Sequence, residues 1–301
     1  MPSLSEFVEF IVEKTGIEKR SLIEKDILLH KILTKIFERF GRDYLFKGGS
    51  CLVKCYFGYY RFSVDLDFTW SDQSFWDGLG KKRLRRKIME KVDEFGSFLE
   101  TLSKEMGLDF VNDPKDEKYF EFGGGSRMVT LKLWKNGELI KIQISFVERI
   151  LFEQKERVAK TLLDKIKINK TEKVYFENFL NFYRPFKLIA YNEKEILCEK
   201  IRAILTRKKQ KLRDFYDIFM LDPNLKTIGK LENEIIEKVK FALYYQKYRD
   251  ALEKNKRIFS IGKEIIEDPF ERNMFIIRPK EGFEQFLRNF EVFILNLLEK
   301  F

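Results

Sequence analysis

A Gly-Gly-Ser turn between apolar runs, followed by Asp-Leu-Asp inside another apolar run, constrains this 301-residue chain more than any other feature. Tyr44-Leu45-Phe46 reads as a short strand, and Lys47-Gly48-Gly49-Ser50 turns sharply out of it. Residues 50–56 then read as a helix with Ser50 at its start, and residues 64–70 as a partner strand. Side chains alternate along a strand. Asp65 and Asp67 therefore share one face, while Leu66 and Phe68 turn to the core.

The two halves of this segment suggest complementary chemistry. Glycine lets backbone approach a phosphate closely. A helix that opens at Ser50 presents amides and a favourable dipole to an anion. Lys47 either adds a point charge or is a solvated lysine at a strand end. Two carboxylates about 6–7 Å apart on one strand face can share a hard cation. Mg²⁺ suits the pair, with Mn²⁺ as the alternative, because it takes one or two carboxylates and completes its shell with phosphates and water. A polar surface strand is the plainer reading of Asp65 and Asp67, and the preceding turn weighs against it.

Around this core the pattern is mixed. Ser3-x-x-Glu6 is a capping box for a first helix ending near Gly16, and Ser21-x-x-Glu24 opens a second that Gly41 ends. Residues 82–105 read as a long helix. Strands follow at about 108–111, 118–122, 127–134 and 139–147, the last two joined by the hairpin dipeptide Asn136-Gly137. Gly123-Gly124-Gly125 reads as a turn, since no helix pattern follows it. Beyond 150 the chain turns helical, apart from a short strand at 186–190. Helices are expected from Asn192, from Arg213 to Leu221, and over 229–249 and 282–300. The organisation expected is an α+β domain over 1–150 and a mainly helical domain over 151–301.

Composition narrows the partners. The net charge is +10 with 35% charged residues, which favours a polyanion such as nucleic acid or a nucleotide. Cys51, Cys55 and Cys198 form no disulfide framework, and no run of about 18 apolar residues suggests a membrane span. A cytoplasmic protein is expected. The single histidine, His30, sits in a helical pattern and reads as structural, which argues against histidine-based metal or triad chemistry.

Two further segments sharpen the picture. Glu199-Lys200-Ile201-Arg202-Ala203 precedes Arg207 and then Arg213-Asp214-Phe215-Tyr216-Asp217, and Ile23-Glu24-Lys25-Asp26 opens the second helix. Taken with the Gly-Gly-Ser turn and Arg61-Phe62-Ser63-x-Asp65-Leu66-Asp67-Phe68, the chain resembles the AbiEii/AbiGii toxin family of nucleotidyltransferases over about 20–222. The resemblance implies a polymerase-β-like nucleotidyltransferase domain with a mixed sheet, followed by a helical domain that completes the site. It implies a toxin of a toxin–antitoxin or phage-defence system that uses an NTP, with tRNA as acceptor and an antitoxin as partner. Carried over by position, Lys47, Gly48, Gly49, Ser50, Lys200 and Arg207 would bind the nucleotide. Asp65 and Asp67 would bind metal. Lys200 would contact the triphosphate, and Asp214 and Asp217 would complete the catalytic set.

The residues themselves leave choices open. Lys200 and Arg207 are seven apart and would share a helix face. Asp214 is either a site carboxylate or a helix cap, and Asp217 either a site acid or the partner of Arg213. Transferases of this kind usually bring a third carboxylate from a neighbouring strand. Strand 139–147 offers Lys141, Gln143 and Ser145 instead, with Gln143 at the expected place and Glu148 beyond the end. One well-held metal could suffice, Asp214 or Asp217 could supply the base, or catalysis has decayed. The second option is preferred. A decayed site would leave a nucleotide- or RNA-binding protein, and a protein acceptor is the alternative within the enzyme class. Cation clusters at 81–87 and 207–213 could track an RNA backbone, the second being the better candidate because it adjoins Asp214. Tyr59 and Tyr60 could stack on a base.

Overall fold

The computed structural model describes residues 2–301 and divides into two compact units, 1–148 with 154–190, and 149–153 with 191–301. In the first unit the elements are α1 (Leu4–Thr15), α2 (Arg20–Phe40), β1 (Tyr44–Lys47), α3 (Gly48–Cys51), β2 (Asp65–Trp70) and α4 (Lys81–Met106). They continue through β3 (Phe120–Gly123), β4 (Met128–Lys135), β5 (Glu138–Ser145), β6 (Lys155–Ala159), α5 (Lys170–Tyr175), α6 (Glu177–Leu180) and β7 (Phe186–Ala190).

Among the described residues these strands form one mixed seven-stranded sheet, in the order β3-β4-β5-β2-β1-β7-β6. β2 runs parallel to β5, and β1 to β7. β1 and β2 are antiparallel, with Tyr44 opposite Trp70 and Phe46 opposite Phe68. One face of this pair is therefore aromatic. Phe40 and Phe95, from α2 and α4, lie 5.3 and 5.1 Å from the Tyr44 ring, and aromatic pairs of this kind add to the area they bury. The opposite face of the two strands carries Lys47, Asp65 and Asp67.

Local chemistry explains most boundaries. Ser3 and Glu6 form the expected capping box, and Gly16 ends α1 in the left-handed region. Asn136 and Gly137 both take positive φ in the two-residue connection between Lys135 and Glu138, as this hairpin class requires. Gly123 ends β3 opposite Met128, and residues 124–127 make the turn to β4. Several expectations need correction, among them a helix start at Ser50, which falls instead at Gly48. α2 starts at Arg20 with no side-chain cap, so Ser21 is not its cap. The strand expected at 108–111 is a lone bridge between Asp109 and Trp134. β6 was not anticipated, because Lys155, Glu156 and Arg157 give an edge strand the look of a solvated loop.

The second unit holds α7 (Glu193–Leu205), α8 (Leu212–Leu221), α9 (Lys226–Lys230), α10 (Glu232–Ala242), α11 (Gln246–Ile258), α12 (Lys263–Ile266), α13 (Pro269–Asn273) and α14 (Phe283–Leu298). The helix expected over 229–249 is thus broken into separate pieces. An aromatic cluster of Phe215, Tyr216, Phe219, Phe275, Phe283, Phe286 and Phe290 joins α8 to α14. Glu195 of α7 is fully buried. It pairs with Lys238 at 2.5 Å and accepts the amides of Leu151 and Phe152, which fastens 149–153 to this unit. No described helix is long and apolar enough to cross a membrane.

Candidate active site

The turn after β1 is built around charged neighbours. Gly48 has φ +76°, and a Cβ there would lie 2.3 Å from Asp67 Oδ2. A Cβ on Gly49 would lie 2.5 Å from Arg61 Nη2, the end of a guanidinium that is almost wholly buried. The two glycines are required for different reasons: one clears a carboxylate and takes a left-handed conformation, the other clears an arginine. No side chain caps the start of α3, which runs on into a six-residue π-helical segment, Leu52–Phe57. The Ser50 hydroxyl is buried and donates to the Asp65 carbonyl, tying the turn to β2.

Strand register places the charged row. Lys47 stands opposite Asp67, Asp67 beside Gln143, and Gln143 opposite Thr130. Asp65 stands beside Lys141. Both aspartates are half-buried on one face of β2, as their spacing requires. Lys47 Nζ lies 3.3 Å from Ser145 Oγ and 3.9 Å from Glu148 Oε2, so it is a buried lysine held over this face rather than a solvated strand end. Lys25, from α2, donates to the Leu139 carbonyl at 2.6 Å. Burial lowers its ammonium pKa, and the Asp65 charge works against that shift.

Gln143 occupies the place where a third acid was sought. Its amide nitrogen donates to Thr130 Oγ1 at 3.0 Å. Among the described residues no group of three or more His, Cys, Asp or Glu could hold a metal ion. The donor set is thus two oxygen-bearing side chains on one strand face. It suits a hard cation such as Mg²⁺ whose shell is completed by phosphate and water, and does not suit a metal held by protein alone.

In the second unit, Lys200 of α7 pairs with Asp214 at 2.8 Å and with Asp217 at 2.6 Å. Arg207 also pairs with Asp214, although it lies past the end of α7 and not on the helix face with Lys200. Burial pushes the Asp214 carboxyl up, but Lys200 and Arg207 outweigh it and hold the group well below the usual carboxylate range. Asp214 does not cap α8: the capping position is Lys211 and has no side-chain bond. Asp217 does not pair with Arg213, which turns to Glu271 at 3.6 Å. Both carboxylates are engaged by Lys200, and Asp214, so strongly held in its charged form, is a weak proton acceptor.

Other residues resolve differently from their sequence reading. The Tyr59 hydroxyl bonds Asp26 at 2.9 Å and Tyr60 is buried, so neither ring is presented for stacking. Asp26 is the centre of a buried network: Lys54 Nζ reaches it at 2.7 Å, and the Tyr183 hydroxyl at 2.6 Å. His30 is buried and structural, its Nε2 2.9 Å from the Arg184 carbonyl. Arg61, Lys25 and Lys54 carry no catalytic spacing of their own. The signal for Arg61 was its place just before Asp65, for Lys54 its nearness to the glycine turn, and for Lys25 only the resemblance carried by Ile23-Glu24-Lys25-Asp26.

A mixed sheet with a glycine turn beside paired carboxylates is the class of site a nucleotidyltransferase uses. Residues 31–299 match the profile of the nucleotidyl transferase AbiEii toxin of type IV toxin–antitoxin systems, and the chain belongs to that family. It is a nucleotidyltransferase toxin by membership. Among solved structures the chain is similar to MenT4, a nucleotidyltransferase toxin from Mycobacterium tuberculosis H37Rv, with 16% identity over 98% of this chain and 90% of that one, and a TM-score of 0.48. It is also similar to an antigenic nucleotidyltransferase-like protein from Paracoccidioides brasiliensis, with 14% identity over 76% of this chain and 93% of that one, and a TM-score of 0.31. At this distance neither structure speaks to substrate or site. No curated protein matches the chain.

Proposed function

We propose that the chain transfers a nucleoside monophosphate from an NTP to a hydroxyl acceptor, with tRNA as the acceptor, in a divalent-metal-dependent reaction. The observation that carries this reading is the glycine turn packed against Asp67, with Asp65 and Asp67 on one face of β2. The amides after Lys47 receive phosphate, and Lys47 adds positive charge to the same face. Asp65 and Asp67 hold Mg²⁺ or Mn²⁺, which when bound polarises the α-phosphate and offsets charge on the departing pyrophosphate. Within the second unit, Lys200 offers a positive charge suited to phosphate. Asp214 and Asp217 fix its ammonium and do not take the proton, which revises their expected role. The acceptor oxygen bonds to the α-phosphorus, the bond to pyrophosphate breaks, and the hydroxyl proton passes to a carboxylate on β2 and then to water.

The supporting surroundings are the net charge of +10, which suits an RNA acceptor, and a family of toxins, which suits an antitoxin partner and a cytoplasmic role in phage defence. Gln143 beside Asp67 favours one other reading, a nucleotide- or RNA-binding protein whose catalysis has decayed. Labelled NTPs incubated with total RNA and Mg²⁺ separate the two. Transfer of label with release of pyrophosphate, lost in Asp65→Asn and Lys200→Ala, is the expected result. Label on protein but not RNA would move the acceptor to a side chain. Absence of pyrophosphate release with every NTP would overturn the transferase reading.

A further inference from the structure

The two cation clusters differ in the fold, and in the opposite sense to the preference for 207–213 that the sequence suggested. Around 207–213 the charge is compensated locally: Arg207 pairs with Asp214, Lys209 with Asp268 at 3.5 Å, and Arg213 with Glu271 at 3.6 Å. Lys211 is half-buried, and its ammonium pKa is lowered by burial first and by Arg213 and Arg207 next. The start of α4 is the opposite case. Lys81, Lys82, Arg83, Arg85 and Arg86 are exposed, and Lys87 half-exposed. The one ion pair the described residues give this cluster is Arg86 with Glu90 at 3.6 Å, at two largely exposed side chains.

The helix itself gains nothing from this arrangement. α4 is 26 residues long, has no acidic residue in its first turn and no side-chain cap. Cations at the positive end of a helix dipole repel it, and nearby like charges repel one another. At 100° per residue the six cations cover most of the helix circumference, and the remaining arc holds the buried Leu84 and Ile88. That buried arc also removes the apolar face that an interfacial membrane helix would insert.

Packing fixes where the cluster lies relative to the candidate site. Lys87 lies over the Phe75 ring at 4.4 Å, and Lys91 over the Trp70 ring at 5.0 Å. Trp70 ends β2, three residues past Asp67, which is about 10 Å along the strand. The Trp70 ring belongs to the aromatic face of β2, so the cationic turns are anchored at the far end of that strand and on the face of the sheet opposite Asp65 and Asp67.

We propose that the first two turns of α4, through Lys82, Arg83, Arg85 and Arg86, are the docking surface for the phosphodiester backbone of the RNA acceptor. The proposal rests on the transferase reading only for the identity of the acceptor as RNA. Excess positive charge without internal partners releases counterions from a polyanion, and this term dominates backbone binding.

The test is titration of labelled bulk transfer RNA against the full chain over a range of salt, without NTP. The quadruple variant Lys82→Gln, Arg83→Gln, Arg85→Gln and Arg86→Gln should bind at least tenfold more weakly at low salt. Its slope of log affinity against log salt should be shallower by about 2–3. The charge-keeping variant Arg83→Lys, Arg85→Lys and Arg86→Lys should stay near wild type, which separates charge from folding. Lys208→Gln with Lys209→Gln should change little. Wild-type affinity and slope in the quadruple variant would overturn the surface, even if nucleotide transfer is observed. So would loss of binding to phosphatidylserine vesicles in that variant with RNA binding intact. Salt-dependent RNA binding that the quadruple variant loses supports the surface even if no transfer is found.

Discussion

Replacing Gly48 by alanine tests whether the glycine turn serves Asp67 or only its own backbone. Two costs are separable in the structure. Alanine at φ +76° adopts a left-handed conformation, worth about 1–2 kcal/mol. The added Cβ would also sit 2.3 Å from Asp67 Oδ2, 3.0 Å from Cγ and 3.1 Å from Cβ, against an ordinary contact of 3.4 Å or more. Turning the carboxylate relieves the first of these contacts, and the other two then require the turn and β2 to separate by only a few tenths of an ångström. The turned carboxylate itself carries its oxygen about 1 Å or more from its place, and a misplacement of about 1 Å at reacting groups costs roughly 100-fold in rate. Gly137 is the matched control. Its φ is +83° and nothing lies within 4 Å of its Cβ position, so Gly137→Ala bears the backbone cost alone. Both variants should melt a few degrees lower, by about 2–4 °C for each kcal/mol. Gly48→Ala alone should lose roughly 100-fold in nucleotide transfer, and should bind NTP in Mg²⁺ more weakly by calorimetry. Transfer and binding by Gly48→Ala within threefold of Gly137→Ala would show that the Asp67 contact is incidental.

Further predictions concern the buried charges. Lys54→Met leaves Asp26 buried without its cation and should cost about 3–5 kcal/mol in denaturant unfolding, with much of it regained in the double variant with Asp26→Asn. Simple additivity of the two single changes would refute the coupling. Burial, followed by the charge of Lys54, lowers the His30 pKa to about 3, and its Nδ1 has no partner among the described residues. The unfolded chain takes up that proton first, near pH 6.5, so stability should fall as pH drops from about 6.5 toward 3, by about 1.4 kcal/mol per unit. His30→Gln should flatten this slope, and an unchanged slope would place the proton elsewhere. Asp214→Asn should cost about 3 kcal/mol. Because Lys200 and Arg207 hold the Asp214 carboxyl low, its contribution is complete above about pH 4 and is lost only at more acid pH, a loss the variant should no longer show in an acid titration.

What the sequence made legible follows the range of the interactions. The Asp65–Asp67 alternation and the Asn136-Gly137 hairpin depend on neighbours a few residues apart and appear as read, whereas the helix expected from Ser50 starts at Gly48 and turns π-helical from Leu52. The place of Gln143 beside Asp67 was also legible, since the period of a strand fixes which side chains share its face. The charge balance at 207–213 was not, because it depends on Asp268 and Glu271, more than fifty residues downstream. Nearness to Asp214 made that cluster look the better RNA candidate, and pairing at long range reverses the order in favour of the start of α4. β6 was hidden for a related reason. An edge strand is protected by charges on its own sequence, and those charges mask its period.

The segment around Asp26 shows how such hidden partners bear on the site. Ile23-Glu24-Lys25-Asp26 was notable only by resemblance, yet Lys25 and Asp26 act on opposite needs. Lys25 brings positive charge toward Asp65. Asp26 lies inside the fold and receives Lys54 from the helical segment that continues the glycine turn. Removing a partner from a buried pair exposes the remaining charge to low dielectric, so the position of Lys54 is strongly determined. The turn is then held at three points: by Lys54 on Asp26, by Ser50 on the Asp65 carbonyl, and by the clearances of Gly48 and Gly49 against Asp67 and Arg61. A loop held in this way does not need to close on its ligand to be ordered. The phosphate-binding half of the proposed site is therefore preorganised, and the freedom left to the reaction lies with the metal, the nucleotide and the acceptor.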